Sequence, residues 1–305
     1  MTYALSTSWQ STEPLSGMGL VDIIEQTGVE AIELDYRVTA EQWREMQKPL
    51  RQRGIRVASL HACTPLPENF DKKKASGDLF LLSSRDEEER RFAVKKAIQS
   101  LQLAADLQTQ AVVFHLGRVE MEDQTNVLKQ FYHDNEIESE GAAAFMQQKL
   151  AERTRLAPPY FDQVLKSLER MNEEACRLDV YIGIENRYRY HEIPFKSEFD
   201  TIFTEFTGGN LRYWHDTGHG EIFQRLRVLD ARADLLQPYK PLLLGMHLHD
   251  IKGLKDHHAP GTGDFDFNQL KPFFRPETVR ILEIHKQASL DEIQQGVQLL
   301  QEIDL

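Results

Sequence analysis

Eight short runs of apolar, β-favouring residues recur along this chain, near Tyr3, Ala31, Ile55, Ala111, Tyr181, Leu211, Leu242 and Val279. The stretches between them carry helical periodicity. Strands that alternate with helices pair as a parallel sheet, because a parallel neighbour is reached only through a long crossover. Eight such units predict an α/β fold in which the sheet closes on itself, a (β/α)8 or TIM barrel. The length of 305 residues suits one barrel as a single domain, 1–305. There is no internal repeat beyond the barrel unit, no low-complexity tract and no linker that would split the chain.

Several helices announce their starts. Thr39 with Gln42, Ser84 with Glu87 and Ser289 with Glu292 have capping-box spacing. A helix from about Tyr160 to Leu178 would place Phe161, Val164, Leu165, Leu168, Met171 and Ala175 on one face, as an outer barrel helix should. Two connections exceed a minimal unit. Cys63 to Leu82 has no clear periodicity. The insertion from Glu120 to about Pro159, between strands 4 and 5, is acidic and amphipathic and predicts one extra helix. Its apolar residues Val127, Leu128, Phe131, Phe145 and Met146 predict packing over the barrel mouth or into an interface between copies, so a homo-oligomer is possible.

Composition removes some classes of function. No apolar run approaches the ~20 residues of a membrane span, and Met1 to Ser6 lacks the basic and apolar regions of a signal peptide. Two cysteines, Cys63 and Cys176, are too few for a disulfide framework, which suggests a reducing cytosol. A net charge of −12 disfavours a broad phosphate-binding surface. We therefore expect no nucleic-acid partner and no membrane, although a local basic groove stays open.

The chemistry gathers at the strand ends. The third strand run ends in His61, and the fourth in His115, followed by Gly117 and Arg118. The fifth ends in Glu185, ahead of Asn186, Arg187, Tyr188 and Arg189. The sixth leads through His215 to Asp216-Thr217-Gly218-His219, the seventh delivers His247, and the eighth ends in Glu283. From Gly245 to Phe267 the chain packs His247, His249, His257, His258, Asp250 and Asp256 into one polar stretch, punctuated by Pro260-Gly261-Thr262-Gly263. Of eleven histidines, only His133 and His191 lie away from these positions.

In a barrel these ends converge on one mouth, where ionised carboxylates after apolar strands are costly unless paired. Glu185, Asp216 and Glu283 would repel one another and raise at least one pKa, and a divalent cation removes both problems. Three carboxylates and one imidazole suit Mn2+, Mg2+ or Co2+, while a histidine-richer shell leans to Zn2+. Asp250 could orient His247 from behind. Other readings stay open: Glu185 could pair with Arg187 or Arg189, Asp216 could cap the next helix, and His61 or His115 could be hydrogen-bonded core groups.

Glu185-Asn186, Asp216-Thr217-Gly218-His219, His247-Leu248-His249-Asp250, Pro260-Gly261-Thr262-Gly263 and Leu282-Glu283, in strand order, resemble the xylose isomerase-like barrel superfamily. That group holds sugar and sugar-phosphate isomerases and epimerases, and the endonuclease IV type of abasic-site nuclease. The resemblance implies that Glu185, Asp216, His247 and Glu283 bind one divalent metal and that the two glutamates are the catalytic acid/base pair. It also implies a runner-up. His61, His115, His219 and His257 fall where the nucleases place further zinc ligands, although Lys255 stands where an aspartate would be needed. A one-residue shift pairing Asp256 with His258 could restore that set.

The first expectation is thus a metal-dependent isomerase or epimerase of a sugar, sugar phosphate or related polyhydroxy carbonyl compound. Its substrate would meet His61, His115, Arg118, Arg187, His219 and His257. Arg118, Arg187, Arg189 and Lys286 could bind a phosphate or carboxylate. The alternatives are a zinc phosphodiesterase, a related metal-dependent lyase or dehydratase, and a barrel that only binds a ligand.

Overall fold

The computed structural model describes residues 2–68 and 70–305. Its eight barrel strands are β1 (Ala4–Ser6), β2 (Ala31–Leu34), β3 (Arg56–His61), β4 (Ala111–Phe114), β5 (Tyr181–Glu185), β6 (Leu211–Asp216), β7 (Leu243–Leu248) and β10 (Val279–Leu282). They close in the order β1-β10-β7-β6-β5-β4-β3-β2, every neighbour parallel. All eight apolar runs read from the sequence become barrel strands. The loop expected after strand 7 instead folds back as an antiparallel hairpin of β8 (Asp250–Lys252) and β9 (Lys255–His258).

Side chains alternate across a strand, so every second residue enters the barrel. The inner layer is built from Ala4, Ala31, Ala111, Val113, Trp214 and Ile281. Trp214 is fully buried there, and the ring fits because Gly183 and Gly245 stand beside it. Two residues further along the same strands the chemistry changes at once. Glu33 follows Ala31, His61 follows Ser59, His115 follows Val113, Glu185 follows Gly183, Asp216 follows Trp214, His247 follows Gly245 and Glu283 follows Ile281. One apolar layer is capped by one polar layer because the strand period is two.

The outer helices bury the opposite strand faces. The helix Pro158–Leu178 turns Tyr160, Val164, Leu168, Met171 and Ala175 inward, as expected, with Phe161 and Leu165 packed at its edge. The capping boxes at Thr39 and Ser289 form. The one at Ser84 does not. Asp86 caps the helix Glu87–Asp106, its Oδ1 accepting from the Glu88 and Glu89 amides at 2.9 and 3.0 Å. A carboxylate next to the first turn meets the free amides there better than a hydroxyl two residues further away.

The insertion holds two helices, Thr125–His133 and Glu140–Leu156, rather than one. Asn135, left-handed at φ 59°, ends the first. Leu128, Phe145, Met146 and Leu150 pack with Tyr190, Ile222, Leu226, Ile251 and Leu254. The insertion therefore covers the loop after β5, the helix Thr217–Arg225 and the hairpin, all at the rim of the mouth. Across the rim, the described residues of the connection from Cys63 to Leu82 include a parallel bridge of Leu66 to Thr39 and one 3-10 turn, Lys72–Lys74. Its Gly77 lies so close to the His115 ring that an added Cβ would sit 2.2 Å from Nδ1. No described helix is long and apolar enough to cross a membrane.

Candidate active site

His247 is the hub of the polar layer and is wholly buried. Its Nδ1 lies 2.8 Å from Glu185 Oε1, 3.1 Å from Glu283 Oε2 and 3.7 Å from Asp216 Oδ2. Its Nε2 lies 3.1 Å from Glu33 Oε2, which also accepts from the Ser59 hydroxyl at 2.7 Å. Burial alone would push this imidazole down, but Glu283, Glu33 and Glu185 outweigh it and hold the pKa well above the ordinary value. Burial likewise pushes the Glu185 and Glu283 carboxyls up, and the imidazoles outweigh it. His247 and His115 hold Glu185, and His247 and His257 hold Glu283, well below the usual range. The expected rise from mutual repulsion does not occur, because histidines stand between the acids.

Asp216 serves two masters. Its Oδ1 accepts from the His219 amide at 2.7 Å and so caps the helix Thr217–Arg225, while His249 Nε2 lies 3.0 Å from its Oδ2. Asn186 grips the same residue through the backbone. Its Oδ1 accepts from the Asp216 amide at 2.7 Å, and its Nδ2 donates to the Asp216 carbonyl at 3.1 Å. The Asn186 carbonyl faces His219 Nδ1 at 3.0 Å, which leaves Nε2 as that ring's remaining polar atom. Asp250 does not reach His247 as expected. Its two oxygens accept from the Ile251, Gly261, Gly263 and Phe265 amides and hold the loop after the hairpin. Glu33 stands behind His247 instead.

Among the described residues, three groups of donors are close enough to share an ion: Glu185, Asp216, His247 and Glu283; His61, His115 and Glu185; and Asp216, His249, His257 and Glu283. Within each, one atom per residue lies within 4.8 Å of the others. The first is the quartet expected from the strand ends. The nuclease-like set built on Asp256 and His258 does not assemble: Asp256 Oδ1 lies 3.0 Å from His257 Nδ1, and His258 joins none of these groups among the described residues. His257, in left-handed backbone at φ 57°, is buried and lines the mouth, whereas His258 is only half-buried and does not line the cavity. His257 stacks between His249 and His285, with ring centroids 4.2 and 3.8 Å away.

Above the polar layer lies a cavity of about 350 Å³. His61, His115, Arg118, Arg187, His219 and His257 line it, and so do Glu185 and Glu283. Arg187 is buried, its Nη2 2.8 Å from Glu192 Oε1 and its Nη1 against His115 Nε2. Burial first, and the Arg187 charge second, hold the His115 pKa below its ordinary value.

The chain order of these groups and the closed barrel agree with what sequence comparison finds. Residues 21–303 match the xylose isomerase-like TIM barrel family. The chain belongs to that family. No curated protein matches the sequence. Among solved structures this xylose isomerase-like chain is similar to a D-tagatose 3-epimerase-like protein, with 16% identity, TM-score 0.65, and 99% of this chain and 97% of that one covered. It is also similar to the 3-keto-D-glucoside 4-epimerase of E. coli, with 15% identity, TM-score 0.64 and 99% of each chain covered. D-psicose 3-epimerase of Clostridium cellulolyticum aligns at 12% identity and TM-score 0.65, again over 99% of each chain.

Sequence reasoning missed part of this xylose isomerase-like mouth. Tyr36, Arg37, Asp78, His191, Glu192 and His285 all line the cavity. His191, set aside as remote, is brought in by the loop after β5. Lys286, offered as an anion binder, does not line the cavity and pairs with Glu13 at 3.1 Å. Glu33 and Ser59 carried a usable signal, a polar residue in an apolar strand. Asp78 carried none, since only tertiary packing brings its connection over His115.

Proposed function

We propose that this xylose isomerase-like barrel is a divalent-metal-dependent isomerase or epimerase of a sugar, a sugar phosphate or a related polyhydroxy carbonyl compound. The observation that carries the reading is the convergence of Glu185, Asp216, His247 and Glu283 beneath a cavity of about 350 Å³. These residues fit a cation. His247 Nδ1 faces three carboxylates with at most one proton to give, so it cannot satisfy Glu185, Asp216 and Glu283 together. Three carboxylates and one imidazole suit Mn2+, Mg2+ or Co2+. When bound, such an ion supplies positive charge beside the substrate carbonyl and acidifies the adjacent C–H. The sugar epimerases among the similar structures agree with this reading.

The chain's own residues would do the rest. Glu185 and Glu283 come from strands separated by β6 and β7, so they approach a bound substrate from different directions. One removes the proton from the carbon next to the carbonyl, and the other returns it, on the opposite face for an epimerisation. His219, fixed by the Asn186 carbonyl, offers Nε2 to a substrate oxygen. His61, His115, Arg187 and His257 line the cavity for further hydroxyls. Ser76, Gly77 and Asp78 of the connection after β3 line the cavity and narrow access of water.

Solvent-exchange measurement tests this. Turnover of a ketose in D2O should place deuterium on the carbon next to the carbonyl. Glu185→Gln and Glu283→Gln should each lower kcat by at least about a hundredfold while metal content, measured alongside, is retained. Turnover without exchange, with metal-loaded and active Gln variants, overturns the mechanism.

A second reading, phosphodiester hydrolysis at a multinuclear zinc site, is favoured by the two donor groups flanking the quartet. Arg187 counts against it, because its guanidinium already sits on His115 beside Glu185. A second cation there would meet a fixed positive charge. Metal counting separates the two: one ion per chain supports the first, two or three zinc ions the second.

A further inference from the structure

Four arginines line the cavity, Arg37, Arg118, Arg187 and Arg189. Three are already neutralised. Arg37 binds Asp35 at 3.0 Å, Arg187 binds Glu192 at 2.8 Å and Arg189 binds Asp123 at 2.7 Å. Arg118 has no carboxylate within ion-pair distance among the described residues, and its side chain makes no hydrogen bond there. Arg118 is exposed, so its guanidinium stands free on the cavity wall, open to an anion carried in by a ligand.

The backbone builds this corner rather than leaving it to a loose loop. Arg118 pairs as an antiparallel bridge with Glu192, the Val119 amide donates to the His191 carbonyl at 2.8 Å, and the Ile193 amide donates to the Gly117 carbonyl at 2.9 Å. The loops after β4 and β5 are thereby held side by side, which sets Arg118, Arg189 and His191 on one wall. His191 adds an independent observation. It is 6% exposed, it lines the cavity, and its Nδ1 has no hydrogen-bond partner. Asp123 Oδ1, 3.6 Å from that nitrogen, lies beyond hydrogen-bond distance and accepts from the Thr125 amide, while its Oδ2 accepts from Arg189. A buried polar nitrogen left unsatisfied is costly unless a ligand completes it.

We propose that the substrate carries an anionic terminus, a carboxylate or a phosphate monoester, which docks on Arg118 with His191 beside it. The rest of the molecule then extends toward Glu185 and Glu283. The inference rests on the isomerase or epimerase reading and narrows its substrate class to acidic sugars. Arg118 offers a forked donor matched to a carboxylate or phosphate.

Equilibrium binding to the metal-loaded protein tests this without requiring turnover. The probes are D-fructose, D-fructose 6-phosphate and D-glucuronate, with metal content measured for each preparation. At least one anionic probe should bind at least about tenfold more tightly than D-fructose, the size expected for a charge-assisted contact. Whichever does so names the terminus. Arg118→Gln should abolish that preference and leave metal content unchanged, Arg118→Lys should restore part of it, and His191→Gln should weaken it. Equal binding of all three probes, or an anion preference that survives Arg118→Gln, overturns the proposal. Failure of the underlying reading looks different. A protein that holds no divalent ion, or that exchanges no deuterium, sinks the isomerase reading while the probes still report on Arg118.

Discussion

Gly245 and Gly183 leave room for the Trp214 ring inside the barrel. A Cβ on Gly245 would stand 2.5 Å from Trp214 Cζ3, whereas one on Gly183 would stand 3.0 Å from the same ring. The indole is rigid and fully buried, so Gly245→Ala forces the β7 backbone to move, at a cost of about 1–3 kcal/mol. Because His247 lies two residues along the strand, we expect urea unfolding to show the loss of stability and Mn2+ titration to show weakened binding. Gly183→Ala should be the milder of the pair. Glu33 is the other residue on which His247 depends. Glu33→Gln removes the charge facing Nε2, and we expect Mn2+ affinity to fall about tenfold, as is usual when a group that orients a ligand is lost. Unchanged affinity would leave Glu33 with a purely structural role. Individual residues were unevenly legible. Glu185, Asp216, His247 and Glu283 could be read because each ends an apolar strand, and His191 could not, because its place depends on how a loop turns.

The insertion between β4 and β5 shows what an element's pattern can and cannot say. Its apolar residues marked a face to be covered, and the structure covers Leu128, Phe145 and Met146 against Tyr190, Ile222 and the β8–β9 hairpin but leaves Val127 exposed. Leu128 is buried at the centre of this contact. Leu128→Ala should cost about 2–5 kcal/mol, read from the denaturation midpoint, which is the usual range for such a truncation in a packed site. A change within about 0.5 kcal/mol, the range of surface substitutions, would mean that the insertion does not hold the rim. One helix becomes two because residues 134–139, with Asn135 left-handed at φ 59°, turn the chain between them. The hairpin was misread as a loop for a related reason: β8 and β9 are three and four residues long and polar, so no apolar alternation marks them.

At the scale of the molecule, we propose that the chain unfolds as one domain. Trp9, Trp43 and Trp214 are all buried, so their fluorescence should report the same transition as far-ultraviolet circular dichroism. A divalent ion bound only by the native state should raise the midpoint, by about 2.7 kcal/mol at a hundredfold excess over its Kd. Two separated transitions would mark the insertion as an independent unit, and no shift with Mn2+, Mg2+ or Co2+ would count against the quartet as a metal site. The barrel itself was legible in the sequence, because eight alternating units leave a parallel sheet little choice but closure. So was the ring of acids and histidines, because a period of two lifts each strand's last inward residue into one layer. Which of those groups touch was decided only by the tertiary structure. Strand stagger sets His247 among Glu185, Glu283 and Glu33, and a folded loop claims Asp250 for its own amides. Neighbours along a chain are dictated by covalent spacing, whereas neighbours across a barrel mouth follow from the register of eight strands and the loops that cross above them.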